Sequence, residues 1–152
     1  KVHELVSGVQ AADSAVIEHN GLWYLFTTHG SLSELTADLE FQIYTSDKLE
    51  SDNWTLHPCA PIKIDIRGSR LAGALFWKDG QLFRTAQDGT IRYGRRIALY
   101  LVEELTPTTY KESFVRYIEP NWEPNIDRMH TYNVYGQTAV LDVSRDRLRF
   151  RV

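Results

Sequence analysis

The chain has 152 residues, enough for one domain, and 43% of them are hydrophobic, 24% charged and 12% aromatic. This composition excludes a disordered or low-complexity protein, no apolar run approaches the ~18 residues of a membrane span, and the single cysteine excludes an internal disulfide framework.

The net charge of −3 is unevenly distributed along the chain: residues 1–57 hold nine acids against two lysines, and residues 67–96 hold seven Lys and Arg against two Asp. This distribution argues against a nucleic-acid binder. It favours a local basic site for an anionic or polyhydroxylated ligand, with scattered solvated charge as the alternative.

Short apolar runs separated by turn dipeptides follow one another along the chain, and long amphipathic helix patterns are nearly absent. Asn20-Gly21 and Asp79-Gly80 each separate two such runs, and Tyr135-Gly136 repeats the arrangement more weakly. Two-residue type I′ turns need positive φ at both central residues, a conformation that Asn, Asp and Gly adopt most readily. The sequence therefore predicts three β-hairpins with turns at 20–21, 79–80 and 135–136.

The predicted hairpins recur at a nearly constant interval. Gly21 and Gly80 are 59 residues apart, and Gly80 and Gly136 are 56 apart. Residues 41–44 (FQIY) match residues 97–100 (IALY) at the same offset of 56. Several landmarks at one offset indicate a repeated supersecondary unit rather than chance.

Each unit contains a strand, a tight turn, a second strand, a longer loop, a third strand and a fourth edge strand. Four antiparallel strands in ~40–60 residues are typical of a β-propeller blade, and the alternative is an all-β sandwich. The units cover about residues 10–60, 67–120 and 128–152 of a single domain, which predicts a partial propeller of two and a half to three blades. Because propellers close with four to eight blades, the chain is expected either to form a homo-oligomer or to be a fragment of a longer protein.

Several stretches resemble five-bladed β-propellers related to family 43 glycoside hydrolases. Within that group the chain is most similar to the propeller domain of glucosamine inositolphosphorylceramide transferases, collinear with its C-terminal three blades. The resemblance implies that further blades, which carry the first catalytic-type carboxylates of a hydrolase propeller, precede this chain. Ser14 and Leu71 depart from the pattern, since family members usually have proline at both positions. The matching stretches are 12–13 (AD), 17–28 (IEHNGLWYLFTT), 47–49 (DKL), 54–58 (WTLHP), 69–73 (SRLAG), 84–88 (RTAQD), 92–94 (RYG) and 130–133 (HTYN).

One residue per unit is expected at the mouth of the central channel, where the innermost strands begin. These residues are Asp13, Arg70 and His130. A carboxylate, a guanidinium and an imidazole suit a carbohydrate or sugar-phosphate ligand, because together they accept from and donate to hydroxyl groups. The alternative is structural: a turn cap, an ion pair and a histidine that satisfies backbone groups.

The densest polar cluster of the sequence adds further candidates. Arg84, Gln87, Asp88, Arg92 and Tyr93 lie in and beyond the second strand of the second unit. Asp88, Arg92 and Tyr93 are therefore predicted to bind ligand. The alternative is structural: Asp88 and Arg92 form a buried pair that supports a loop. Polar residues within a strand, here Gln87 and Asp88, are costly to bury unless they have partners.

Three functions remain open at this stage. A carbohydrate-binding or sugar-modifying module is the leading prediction, a glycoside hydrolase with Asp13 as a catalytic carboxylate is the second, and a structural or protein-interaction module is the third. A glycoside hydrolase needs two catalytic carboxyl groups. If Asp13 is one, the candidates for the second are Glu40 and Asp65. No cofactor motif is found, and the five histidines lack the spacing of a metal site.

Two further expectations concern Trp77 and the location of the protein. Trp77 flanks a turn at a strand position and is predicted to pack in the core rather than to stack on a sugar. The location is left unknown: the cytoplasm is favoured because no signal peptide is visible, but the chain begins with Lys1 rather than Met, so a segment that preceded it is not visible.

Overall fold

The computed structural model describes residues 3–30 and 39–145, and within these ranges every regular element is a β-strand. The predicted all-β class is therefore confirmed. The described residues contain no helix that is long and apolar enough to cross a membrane. The strands are β1 (Ala11–His19), β2 (Leu22–His29), β3 (Glu40–Ser46), β4 (Thr55–Leu56), β5 (Lys63–Ile64), β6 (Arg70–Leu71), β7 (Phe76–Lys78), β8 (Gln81–Asp88), β9 (Arg96–Leu105), β10 (Tyr110–Ile118), β11 (Ile126–Arg128), β12 (Tyr132–Tyr135), β13 (Thr138–Leu141) and β14 (Ser144–Arg145).

Two larger antiparallel sheets share one strand order. In the first sheet β1, β2, β3 and β4 are neighbours in that order, and β5 also pairs with β3. In the second sheet β8, β9 and β10 are neighbours in that order, and both β6 and β7 pair with β8. The two short strands β6 and β7 therefore occupy the place in the second sheet that β1 occupies in the first.

The strand register repeats between these two sheets at the offsets seen in the sequence. Leu25 pairs with Tyr44 in the first sheet, and Arg84 pairs with Tyr100 in the second. The second pair lies 59 and 56 residues after the first. Two chain segments that give the same cross-strand pairs at these offsets form structurally equivalent units.

Two of the three predicted turns are confirmed, and the third is displaced by one residue. Asn20 and Gly21 have φ of 53° and 78°, and Asp79 and Gly80 have φ of 51° and 75°, as type I′ turns require. In the third hairpin Tyr135 pairs with Thr138, so the loop consists of residues 136 and 137. Only the glycine of that loop has positive φ, the arrangement of a type II′ turn.

The described residues of the third predicted unit form two small sheets. β12 pairs with β13, and β11 pairs with β14. Its predicted end at residues 146–152 lies outside the described residues. No closed sheet occurs among the strands described here, so the propeller stays a prediction.

The hydrophobic core lies between the two larger sheets. Aromatic rings form its centre: the centroids of Phe26 and Phe41 are 5.8 Å apart, and the ring of Tyr110 meets both edge-on at 5.9 Å. Side chains of both sheets thus bury apolar surface against one another, and the hydrophobic effect is the main contribution that holds the two sheets together. The cluster comprises Tyr24, Phe26, Phe41, Ile43, Leu71, Leu82, Val102, Leu105 and Tyr110.

A buried ion cluster of Arg84, Glu112, Lys63 and Tyr110 borders this core. Arg84 is fully buried, and its Nε and Nη2 donate to the two carboxylate oxygens of Glu112 at 2.6 and 2.7 Å. Lys63, from the first sheet, pairs with the same carboxylate, and the Tyr110 hydroxyl donates to it at 2.6 Å. Burial raises the pKa of Glu112, but the charges and hydrogen bonds of Arg84 and Lys63 outweigh burial and lower that pKa to about 2.

This cluster predicts a loss of stability in acid. The pKa of Glu112 is lower in the folded chain than its ordinary value of 4.5. Its stabilising contribution is therefore present above pH 4.5 and is lost as pH falls towards 2. We expect the free energy of unfolding, measured with urea, to fall by about 2 kcal/mol or more between pH 6 and pH 3. Equal values at the two pH values would contradict this role of the cluster.

Candidate functional site

Asp13 projects from an irregularity in β1. The register of β1 against β2 shifts between Ala12 and Ala15, and Asp13 has a left-handed φ of 51°. The Ser14 hydroxyl lies 2.7 Å from that of Thr27, which fastens the irregularity to β2. Such bulges redirect a side chain away from the regular strand alternation. Here the bulge directs the Asp13 carboxylate to the second sheet.

Arg70, the first residue of β6, meets that carboxylate. Its Nε donates to Asp13 Oδ2 at 2.5 Å. Gln87 approaches the same oxygen with its amide nitrogen at 3.4 Å, while that nitrogen also donates to the Leu71 carbonyl at 2.8 Å. The ion pair therefore joins β1 of the first sheet to β6 of the second.

Tyr93 and His130 extend this arrangement towards the third unit. The Arg70 guanidinium carbon lies 5.0 Å from the centroid of the Tyr93 ring. Tyr93 also meets the His130 ring edge-on, with centroids 5.3 Å apart and planes at 67°. The structure thus brings together Asp13, Arg70, Tyr93 and His130, which we call the polar row.

Asp142 holds His130 at the end of the polar row. Its Oδ1 accepts from the backbone N–H of His130 at 3.0 Å and of Thr131 at 2.7 Å, and its Oδ2 pairs with His130 Nδ1. Burial raises the pKa of Asp142, but these backbone donors and the His130 ring outweigh burial and lower it. An ionised carboxylate therefore orients the imidazole. The sequence reasoning missed Asp142, although its place directly after the third hairpin was a usable signal.

Tyr93 lines two cavities. The larger, about 240 Å³, adjoins His130 and Asp142, and the smaller, about 20 Å³, adjoins Arg70 and Gln87. The polar row therefore borders enough space for a small ligand group. The larger cavity is lined by Tyr93, Gly94, Arg128, Met129, His130, Asp142, Val143 and Ser144.

Two predicted ligand-binding residues lie outside the polar row. Asp88 is fully buried and accepts hydrogen bonds from the Thr90 hydroxyl and Arg96 Nε, both at 2.7 Å. Burial raises the pKa of Asp88, but these donors outweigh it and lower the pKa. The expected supporting pair of Asp88 with Arg92 is thus a pair with Arg96, its cross-strand neighbour. Arg92 instead turns to Asp127, whose Oδ2 lies 3.0 Å from its Nη1.

The basic segment 67–96 is largely neutralised in the folded chain. Acidic side chains pair with five of its seven cations, and within the described ranges only Lys78 and Arg95 have no such partner. The expected local basic site is therefore a set of ion pairs, which leaves little free positive charge. The pairs are Arg67–Asp65, Arg70–Asp13, Arg84–Glu112, Arg92–Asp127 and Arg96–Asp88.

The two acids considered as partners of Asp13 in hydrolysis have other contacts. Glu40 accepts a hydrogen bond from Gln42 at 2.7 Å, and Asp65 pairs with Arg67 at 3.0 Å. In the described part of the chain, no three side chains of His, Cys, Asp or Glu form a group that could hold a metal ion.

The equivalent sheets and the polar row define a class of protein: an all-β domain built of repeated units, with a row of polar side chains and two adjoining cavities where the units meet. A family model described as Glucosamine inositolphosphorylceramide transferase 1, N-terminal, matches residues 2–137. The chain belongs to this family. The predicted relationship to these transferases is confirmed, while the five-bladed propeller and the link to family 43 glycoside hydrolases stay predictions.

Curated relatives agree with this assignment. The chain is 39% identical over 106 residues to a protein of Oryza sativa subsp. indica, and 31% identical over 116 residues to a protein of Arabidopsis thaliana. Both are named Glucosamine inositolphosphorylceramide transferase 1. The matches cover 66% and 74% of this chain but only 14% and 15% of the relatives, so the chain spans a small part of their length. No solved structure matches the chain.

Proposed function

We propose that this domain is a carbohydrate-binding module and that the polar row binds a neutral, polyhydroxylated ligand. The main observation is that the row joins a carboxylate, a guanidinium, an aromatic ring and an oriented imidazole through successive contacts. Tyr93 lines both neighbouring cavities, Arg70 lines the smaller one and His130 the larger one. Such sites combine a few placed polar groups with an aromatic surface. The relatives' printed name contains glucosamine and inositolphosphorylceramide. It therefore supports a hydroxyl-rich ligand, and because it also contains a phosphoryl group it does not by itself distinguish a neutral ligand from an anionic one.

Charge balance favours a neutral ligand over an anionic one. The Arg70 guanidinium is paired with Asp13, and the His130 ring lies against Asp142, so both groups of the row already have a carboxylate beside them. A phosphate would have to displace or approach these carboxylates, which costs electrostatic energy. Hydroxyl groups, in contrast, donate to Asp13 and accept from Arg70 without breaking the pair.

The surrounding architecture is proposed to be a partial propeller. The units at about residues 10–60, 67–120 and 128–152 form successive blades in this proposal. The repeated register of the two larger sheets supports it. Closure of the ring then needs further blades, from a longer chain or from other copies.

Arg70→Ala is expected to weaken ligand binding about ten- to a hundredfold, because a hydrogen bond to a charged group contributes ~1.5–3 kcal/mol. Isothermal titration calorimetry with myo-inositol, methyl β-glucoside and N-acetylglucosamine checks this result. Arg67→Ala is the matched control, since Arg67 also binds a carboxylate through Nε at 3.0 Å but contacts neither cavity. The control should bind as the unmodified chain does.

Three results would overturn the proposal. The first is that none of the three neutral probes binds. The second is that Arg70→Ala binds as tightly as Arg67→Ala. The third is hydrolysis of aryl glycosides that Asp13→Asn abolishes, which would assign the cavity to a hydrolase and give Asp13 a catalytic role.

A further inference from the structure

A second feature lies at the opposite end of the two larger sheets. The turn at residues 20–21 follows β1, and the turn at residues 79–80 follows β7. His19, beside the first turn, is six residues from Asp13 along β1. At about 3.3 Å per residue of regular strand, their backbone positions are up to roughly 20 Å apart. Any site at this hairpin end is therefore separate from the polar row.

Trp77 is an exposed aromatic residue at this hairpin end. It was expected to pack in the core, but its side chain is 50% exposed. Its ring lies 5.7 Å from that of His19 at an interplanar angle of 34°, so a neighbouring hairpin supports it. Asn20 in turn lies within 3.1 Å of His19 Nε2. The Trp77 ring is thus exposed to solvent, and its contact with His19 helps to fix its orientation.

A groove runs along each side of Trp77. The groove between the first and second hairpins has about 450 Å³ and carries Gln81 and Glu103 as polar lining residues. The groove between the second and third hairpins has about 460 Å³ and carries Asp79 and Gln137. Because Trp77 lines both, an elongated ligand can cross its ring and enter each groove.

We infer that these grooves form a second binding site, for a neutral oligosaccharide chain that stacks one sugar ring on Trp77. The apolar face of a pyranose matches an indole surface. The amide and carboxylate groups of Gln81, Glu103, Asp79 and Gln137 accept from sugar hydroxyls, and the two amides also donate to them. Lys78 is the one lysine or arginine that lines either groove, beside two carboxylates, so an anionic ligand is disfavoured.

A protein partner is the competing occupant. Exposed tryptophan and tyrosine are enriched at protein interfaces, and Tyr135 on the third hairpin is 92% exposed. The polar lining on both sides of Trp77 favours the glycan, since the core of a protein interface is depleted in charged residues.

Affinity electrophoresis in native gels tests the inference with hydroxyethylcellulose, galactomannan and soluble starch as probes. At least one polysaccharide should retard the unmodified chain, and Trp77→Ala should weaken that retardation about tenfold or more. Trp122→Ala is the matched control, because Trp122 is 47% exposed and lines neither groove. Arg70→Ala is run beside these variants: retardation that falls in Trp77→Ala but persists in Arg70→Ala assigns the binding to the grooves, and the reverse assigns it to the polar row.

Three outcomes would overturn this inference. One is the absence of retardation by all three polysaccharides. Another is equal retardation of the Trp77→Ala and Trp122→Ala variants. The third is self-association that Trp77→Ala abolishes in the absence of any retardation, which would assign the grooves to a protein contact.

Discussion

Replacement of Glu112 by alanine is expected to lower the free energy of unfolding by about 3–5 kcal/mol, the usual cost of breaking a buried ion pair. Glu112 compensates the charge of the fully buried Arg84 and also that of Lys63. Without Glu112 the buried Arg84 and the partly buried Lys63 remain beside each other, and neither has another acidic partner among the ion pairs of the described residues. The Tyr110 hydroxyl loses its acceptor as well. Urea denaturation at pH 7 measures this loss.

Glu104→Ala is the matched control for this variant. Glu104 lies on β9 and pairs with Lys111 at 2.6 Å, but both side chains are exposed. Exposed pairs contribute about 0–1 kcal/mol, so the control should remain nearly as stable as the unmodified chain. A similar small loss for Glu112→Ala and Glu104→Ala would contradict the assigned role of the buried cluster.

Gly73→Ala is expected to detach the third hairpin from the second sheet, at a cost of about 3 kcal/mol or more. Gly73 has a φ of 135°, and a Cβ there would lie 2.5 Å from the Tyr132 carbonyl oxygen and 2.8 Å from Asn133 Oδ1. Tyr132 N–H donates to the Ala72 carbonyl at 2.6 Å, and Ala74 N–H donates to Asn133 Oδ1 at 2.9 Å. An added methyl group forces these contacts apart.

Hydrogen exchange measures this detachment directly. Amides of β12 and β13 should exchange faster in Gly73→Ala, while those of β2 and β3 stay protected. Gly80→Ala is the control, because Gly80 also has positive φ but its Cβ would meet no atom within 4 Å. Its cost should be about 1–2 kcal/mol from backbone strain alone. Equal effects of the two substitutions would show that the close approach at Gly73 is unimportant.

Local turn chemistry and the repeat made much of the strand arrangement predictable. Asn20-Gly21 and Asp79-Gly80 were correct because both residues of each dipeptide tolerate positive φ. The third turn was shifted by one residue because Tyr135 was assigned to a position that requires positive φ, whereas the hairpin uses Gly136 at the first loop position. The predicted turn position was therefore wrong because a type I′ turn was expected where the hairpin has a type II′ turn, whereas the two strands themselves were expected correctly.

The candidate site was harder to predict because side-chain pairing depends on register. Asp88 was matched to Arg92, the near neighbour in sequence, but the strand register sets Asp88 opposite Arg96. The bulge that directs Asp13 to Arg70 has no sequence signature beyond the aspartate itself. Trp77 was predicted to be buried, yet it lies beside a turn at the exposed end of a hairpin.

Side-chain NMR gives the most direct test of the central claim, that the polar row binds a neutral polyhydroxylated ligand. The Arg70 Nε–H and His130 imidazole signals can be followed during titration with myo-inositol, methyl β-glucoside and N-acetylglucosamine, and with myo-inositol 1-phosphate as the charged counterpart. The account predicts that a neutral probe shifts both signals and that the phosphate gives no gain in affinity over myo-inositol. Unchanged Arg70 and His130 signals with every neutral probe, or a response to the phosphate alone, would contradict it.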